Sequence, residues 1–230
     1  MERGYVLHSR PYRESSVIAN LLVDGVGRVD AVVRLGSGKR SLKSIIQPFQ
    51  PLLFSLSGRG DLKTLSQVEP MSPAIPLNGD SLYAGMYLNE LLIRLLQHGG
   101  ESLFLVYHRA LMVLAREFGE TQLRLVELAL LKELGCMPSL TVDGAGQRII
   151  PDGRYQYLPE QGFWPLMDGV GEVRCWCGNA LLALENSHIS TEDLPALKAL
   201  MRLLLHPLLG DKPLRSRALF AGRRSPSAGS

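Results

Sequence analysis

The segment Gly36-Ser37-Gly38-Lys39-Arg40-Ser41 is the first place where this sequence could do chemistry, because a lysine among glycines can cradle a phosphate. A hydrolytic phosphate loop also needs a glycine five positions before its Gly-Lys pair and a Ser or Thr directly after the lysine. Val33 and Arg40 stand at those two positions, so nucleotide hydrolysis is not expected. Cys175-x-Cys177, with Cys136 and His188 at a distance, falls short of the paired Cys-x2-4-Cys knuckles that let four ligands reach one zinc ion. Cys136 reads instead as a small buried residue at a helix end, and Cys175 and Cys177 as strand residues. His8, His98, His108, His188 and His206 are scattered, with no metal-binding spacing. Gly-x-Ser-x-Gly, His-Glu-x-x-His and dinucleotide fingerprints are absent. The expectation is a protein without catalysis, cofactor or metal.

The cations make a stronger case. Arg10 and Arg13 close the first apolar segment, and Arg28 and Arg34 alternate along one face of another. Lys39, Arg40 and Lys43 fill a glycine-rich loop, and Arg59 and Lys63 sit on the second hairpin. Arg34, Lys39, Arg40 and Lys43 have no acidic neighbour between them. Clustered cations neutralise phosphates, and exposed rings can stack on bases. Tyr5, Tyr12, Phe49 and Phe54 lie among these cations, although core packing is the simpler expectation for aromatic residues in a small barrel. Lys212, Arg215 and Arg217, around Pro213, are a second basic group; part of it is explained by cations favoured at a helix C-terminus.

Charge is unevenly distributed along the 230 residues, whose net charge is only +3. Residues 1–70 carry 10 Lys and Arg against 6 Asp and Glu, and residues 201–230 carry 6 against 1. Residues 71–200 carry 9 against 15. Two basic ends suit an anionic polymer, and an acidic middle is available for protein partners. A hydrophobic content of 46% is enough for a real core. No apolar run approaches the ~20 residues that span a bilayer, and with Glu2, Arg3, His8 and Arg10 where a signal peptide needs a continuous apolar stretch, none is expected. Sparse, odd cysteines fit a reducing compartment. The expected location is the cytoplasm.

These residues must be positioned by elements of two kinds. Residues 5–10, 15–24, 28–35, 52–58 and 61–69 read as five short strands; turns are expected at Pro11, at Gly25-Val26-Gly27 and at Gly58-Arg59-Gly60. Five strands in so short a stretch suit a small closed barrel. An OB-fold is the leading candidate and an SH3-like barrel its rival. After Pro70, Pro73 and Pro76 the apolar period becomes helical: one stripe runs through Leu82, Met86, Leu91, Leu92, Leu95 and Leu96. A second helix runs from Ser102 to Phe118 through Leu105, Leu111 and Leu114, and a third follows Thr121. The third is apolar on most sides, which places it centrally in a bundle. Residues 139–188 are irregular, and a last long helix follows Ser190 and ends at Gly210, with Pro207 a possible kink. The fold class is therefore α+β: an N-terminal OB-fold β-barrel, then a helical bundle with a small irregular α/β insertion. The expected boundaries are 1–78 for the barrel, 79–138 and 190–222 for the helices, 139–189 for the insertion and 223–230 for a disordered tail.

Seven stretches in order resemble one family, the RecO family of bacterial recombination mediators. They are YVLHSRPYRESS (5–16), GRVDAVVRLGSGKRS (27–41), IQPFQPLL (46–53), GRGDLKTL (58–65), YLNELLIRLL (87–96), LRLVELALLKELG (123–135) and LGDKPLRSR (209–217). The resemblance implies the same three-part architecture. It also implies a protein that binds single- and double-stranded DNA, anneals complementary strands and partners RecR. Such a protein recognises the acidic, apolar C-terminal tail of single-strand-binding protein, so that RecA can load. It points to Arg34, Lys39, Arg40 and Lys43 for DNA. For the tail it points to Arg124 and its apolar neighbours, Leu128 included, with Arg116 and Lys132 as further cations. Some members carry a four-cysteine zinc module in the inserted region; this sequence lacks the paired knuckles and resembles the zinc-free branch. The competing reading is a protein-interaction adaptor, in which the helices do the work and the barrel is scaffold.

Overall fold

The computed structural model describes residues 1–38, 41–166 and 173–221. The chain forms two compact units, one of Met1–Glu133 with the chain from Leu209 onward, the other Leu134–Leu208.

The first unit begins with strands β1 (Glu2–Tyr12), β2 (Ser16–Val23), β3 (Gly27–Arg34), β4 (Pro51–Ser57) and β5 (Leu62–Pro70). They close into a barrel in the order β1-β2-β3-β5-β4. β3 runs parallel to β5, pairing Asp30 with Leu62 and Val33 with Leu65, and every other pair is antiparallel. This Greek-key closure is that of an OB-fold and separates it from the SH3-like alternative. Val6, Ala19, Leu21, Val23, Ala31, Val33, Ile46, Leu52, Phe54 and Leu65 fill the interior. All but Ile46, which comes from the β3–β4 connection, lie at alternate strand positions, as a pleat with period two requires.

The expected turn at Pro11 is not there. β1 continues through Pro11, which pairs with Val17, and ends at Tyr12 opposite Ser16. β4 accompanies β1 only from Glu2 to Tyr5, so this part of β1 has no β4 partner, and a proline without an N–H is tolerated there.

Helices α1 (Gly79–Leu95), α2 (Leu103–Leu114) and α3 (Glu120–Glu133) follow, and α6 (Arg215–Ala221) packs on α1. The apolar stripe of α1 is rotated from the expected one. Ala84, Gly85, Tyr87, Leu88, Leu91 and Leu92 are buried, whereas Met86 is exposed. On α2, Leu103, Phe104, Tyr107, Ala110, Leu111 and Leu114 are buried, and Leu105 is exposed. On α2, Phe104 and Tyr107 turn toward Tyr5 of the barrel; on α1, Gly85 meets Phe49 and Tyr87 turns toward Glu127 of α3.

The contact covers the outer surface of β1 and β2 near one barrel end. Tyr5 and Leu22 point out of the barrel, yet both are fully buried. The Tyr5 ring lies 5.3 Å from Tyr107, edge on, and 5.7 Å from Phe104. Its hydroxyl shares a 2.6 Å hydrogen bond with His108 Nδ1, and burial pushes its pKa up to about 12. A register shift between Val6 and His8 makes Leu7 a bulge, whose carbonyl accepts from Asn89 Nδ2 at 2.9 Å. Tyr107 donates to the other amide atom, Asn89 Oδ1.

The second unit holds a three-stranded sheet ordered β7-β6-β8, from β6 (Arg154–Leu158), β7 (Gly162–Pro165) and β8 (Trp176–Cys177), with α4 (Gly178–Glu185) and α5 (Leu194–Leu209). Pro207 lies inside α5. Cys136 is exposed rather than buried, and Cys175 lies outside any strand.

At the barrel–helix contact, Arg28 N donates to Gly99 O at 2.8 Å. A Cβ on Gly27, which has φ +85°, would lie 2.0 Å from that carbonyl. Gly27→Ala therefore combines backbone strain with a backbone clash. It should cost about 2 kcal/mol or more, read as a lower urea midpoint with an unchanged m-value. A midpoint equal to wild type would mean that this approach is not tight.

Candidate nucleic-acid interface

Strand register sorts the expected cations. Arg10 pairs with Ile18, which pairs with Val32, and Tyr12 pairs with Ser16, which pairs with Arg34. Paired residues share a face, so Arg10, Tyr12 and Arg34 lie together on the outer surface of β1–β3 at the end away from the helices. Arg10 and Arg34 are exposed. Arg13, in the turn after β1, is exposed and places its guanidinium carbon 5.1 Å from the centre of the Tyr12 ring. The Leu35 N–H donates to Ser15 O, which ties the chain leaving β3 to this turn. Lys43 is exposed in a short 3-10 turn (Leu42–Ser44) capped by Ser41. It lines a shallow groove with Ser9, Val17, Leu35, Ile46 and Gln47. Lys39 and Arg40 lie outside the described residues.

Other expected cations are placed elsewhere. The Arg28 guanidinium donates to Ile93 O at 2.7 Å and to Leu96 O, and lies 3.3 Å from Asp30. It caps the end of α1 and holds the barrel to it. Lys63 pairs with the inward-facing Ala31, and its ammonium donates to Gly58 O at 3.0 Å, inside the β4–β5 turn. Arg59 is exposed on that turn. Lys212 is exposed, and Arg215 and Arg217 begin α6. The backbone N–H groups of Arg215 and Ser216 and the Ser216 hydroxyl all donate to the Glu90 carboxylate. Burial alone would raise the Glu90 pKa, but these hydrogen bonds and the nearby Arg94 hold it below the usual carboxylate range. The Arg217 guanidinium lies 5.9 Å from the Tyr87 ring.

In the helices, Arg124 is not a surface cation. It is 4% exposed and donates from Nη2 to Glu127 Oε1 at 2.7 Å, and the same oxygen accepts from Tyr87. Burial raises the Glu127 pKa, and Arg124 only partly offsets this. Leu128 is buried, whereas Arg116 and Lys132 are exposed. Leu105, Arg109, Met112 and Val113 form an exposed face of α2 that leads to Arg116 and to Phe118. Sequence reading missed this face. Its signal was present: Leu105, Met112 and Val113 fall off the stripe that the other apolar residues of α2 share. Among the described residues, no group of three His, Cys, Asp or Glu side chains could hold a metal. No helix among them is long and apolar enough to cross a membrane.

Residues 1–74 match the family model "Recombination protein O N terminal", and residues 76–218 match "Recombination protein O C terminal". The chain belongs to the RecO family. It is 43% identical over 226 residues to the DNA repair protein RecO of Yersinia pestis (strain Pestoides F), covering 95% of this chain and 93% of that protein. The DNA repair protein RecO of Yersinia enterocolitica is 42% identical with the same coverage. The N-terminal RecO model ends just past the barrel. The C-terminal model takes in α1 to α5, the small sheet and the start of α6.

The Arg124–Glu127 pair lies within that C-terminal RecO region, and its burial has a measurable consequence. A raised folded-state pKa favours the protonated carboxyl. Glu127 therefore contributes stability that is full below its unfolded-state pKa and is lost as pH rises through the folded one. Glu127→Gln keeps a side-chain oxygen for Tyr87 and Arg124 but cannot ionise, so it should match the protonated wild type in stability at low pH. It should also remove the wild type's loss of stability from the ordinary glutamate range upward. Denaturation midpoints across that pH range test this, and parallel profiles for the two proteins would refute it.

Proposed function

We propose that this protein is a non-catalytic DNA repair factor of the recombination pathway. In this reading it binds single- and double-stranded DNA through the barrel end that carries Arg10, Arg13, Arg34 and Lys43, together with Lys39 and Arg40. It anneals complementary strands and, with RecR, helps RecA load onto DNA coated by single-strand-binding protein. The observation that carries the proposal is the division of the outer β1–β3 surface. Helices cover one end, and the open end holds Arg10 and Arg34 in register beside Tyr12. OB-folds bind oligonucleotides on this strand surface and on the adjoining turns. RecO membership and the relatives' naming as DNA repair proteins support the same reading.

The tail of single-strand-binding protein would meet the helices. A peptide that is both acidic and apolar needs a cation beside apolar surface, and the exposed α2 face has both in Arg109, Arg116, Leu105, Met112 and Val113. Arg124, already paired, would support that surface from within. Arg59 and the Lys212–Arg217 group, which are remote in sequence from the Arg10–Arg34 register, would be additional phosphate contacts.

Binding to fluorescent single-stranded DNA should weaken linearly with log salt, with a slope of about −0.7 for each phosphate neutralised. The double reversals Arg10→Glu with Arg34→Glu, and Lys39→Glu with Arg40→Glu, should each make the slope shallower and leave the denaturation midpoint near wild type. An adaptor whose barrel is only scaffold would show no salt-linked oligonucleotide affinity to lose.

A further inference from the structure

We infer that Tyr12 and Arg13 form a stacking platform for one unpaired nucleobase, which makes the basic barrel end favour single-stranded over double-stranded DNA. The inference rests on the reading of the barrel as the DNA interface.

Four aromatic residues are interspersed with the barrel cations, and three of them are core. Tyr5 and Phe54 are fully buried and Phe49 is 8% exposed. Tyr12 alone keeps part of its surface in solvent, on the face that holds Arg10 and Arg34. The strand register places it directly across Ser16 from Arg34, with Arg10 two positions earlier on the same strand face. Two phosphate-binding cations thus flank a flat ring.

Arg13 extends that surface. Its guanidinium lies over the Tyr12 ring, and its backbone has φ +55°, a left-handed conformation that a non-glycine residue adopts at a cost. The turn holds the residue in that geometry, next to the ring. Aromatic rings and guanidinium planes both stack on bases, so a base arriving here can take the ring face that the guanidinium leaves open or stack on the guanidinium itself. Glu14 follows in the same turn and is exposed. Its charge repels phosphate, so a base is the part of the strand that this turn accepts best.

The preference for single strands follows from geometry. In a duplex each base face is covered by its neighbours, and only phosphates and base edges are offered to a protein surface. An unpaired strand can turn a base out. Arg10 and Arg34 therefore serve both forms of DNA, and the Tyr12–Arg13 platform adds affinity only for unpaired strands.

The test uses the full chain and three oligonucleotides of equal length: a thymidine single strand, a duplex and a single strand with abasic positions. Tyr12→Ala should lose roughly tenfold affinity for the thymidine strand, with duplex affinity and salt slope unchanged. Tyr12→Phe keeps the ring and should bind like wild type. The abasic strand should bind wild type and Tyr12→Ala equally. Denaturation midpoints of the two Tyr12 variants show whether both are folded. Equal losses on single strand and duplex, or none on either, overturn the platform. So does an abasic strand that still separates the two proteins, or a Tyr12→Phe variant as weak as Tyr12→Ala. The double variant Arg10→Glu with Arg34→Glu separates the two levels of failure. If it binds all three ligands like wild type, the barrel is not the interface. If it loses both single strand and duplex while Tyr12→Ala loses neither, only the platform falls.

Discussion

Arg28 joins the two halves of the first unit. Its guanidinium reaches from the third strand to the carbonyls of Ile93 and Leu96, where α1 ends with no further helical N–H groups to satisfy them. Its own N–H meets Gly99 O, and Gly27 leaves the space for that approach. Asp30 balances the charge and accepts from Asn20 at 2.7 Å. Around this clasp, where Arg28 Nε is left without a partner, the Tyr5 hydroxyl and the Asn89 amide are buried with theirs. This is the condition under which a buried polar contact holds two elements together rather than weakening them.

The clasp decides which barrel surface is open. An OB-fold offers the outer face of β2 and β3 to oligonucleotides, and here the helices occupy one end of that face. The cations at that end are absorbed into the fold. Those at the far end, on β1, on β3 and in the β1–β2 turn, remain exposed. Packing has thus concentrated a spread of basic residues into a smaller patch.

A similar economy operates in the helices. α3 is apolar on most sides, and the one ion pair placed among its buried residues, Arg124 with Glu127, is closed off with Tyr87. Arg124 Nε and Nη1 and Glu127 Oε2 lack hydrogen-bond partners, so the pair is costly to keep and strongly destabilising to break. Arg217 reaches toward the same network from α6, which Glu90 anchors at its first residues. The last helix is thereby tied to the chemistry of the bundle core.

Much of this was legible from residue order alone. Alternation set five strands, the change of period after Pro76 set the helices, and seven family-like stretches set the relationship. These features are local: each depends on residues within a few positions, whose spacing repeats every two or 3.6 residues. Where the reading erred, the deciding contact was long-range. Pro11 stays in its strand because of where β4 stops. Leu105 and Met86 are exposed because the barrel meets other faces of their helices. Charge type could mark Arg10, Arg28, Arg34 and Arg124 alike as candidates, since nothing in a linear sequence distinguishes a cation that will cap a distant helix from one that will face water. The sequence by itself determined the barrel, the helices and the supply of cations. Only the tertiary structure decided which cations were left exposed, because burial and pairing are properties of neighbours that the chain brings together from 60 or more positions away, as Arg28 and Ile93 are.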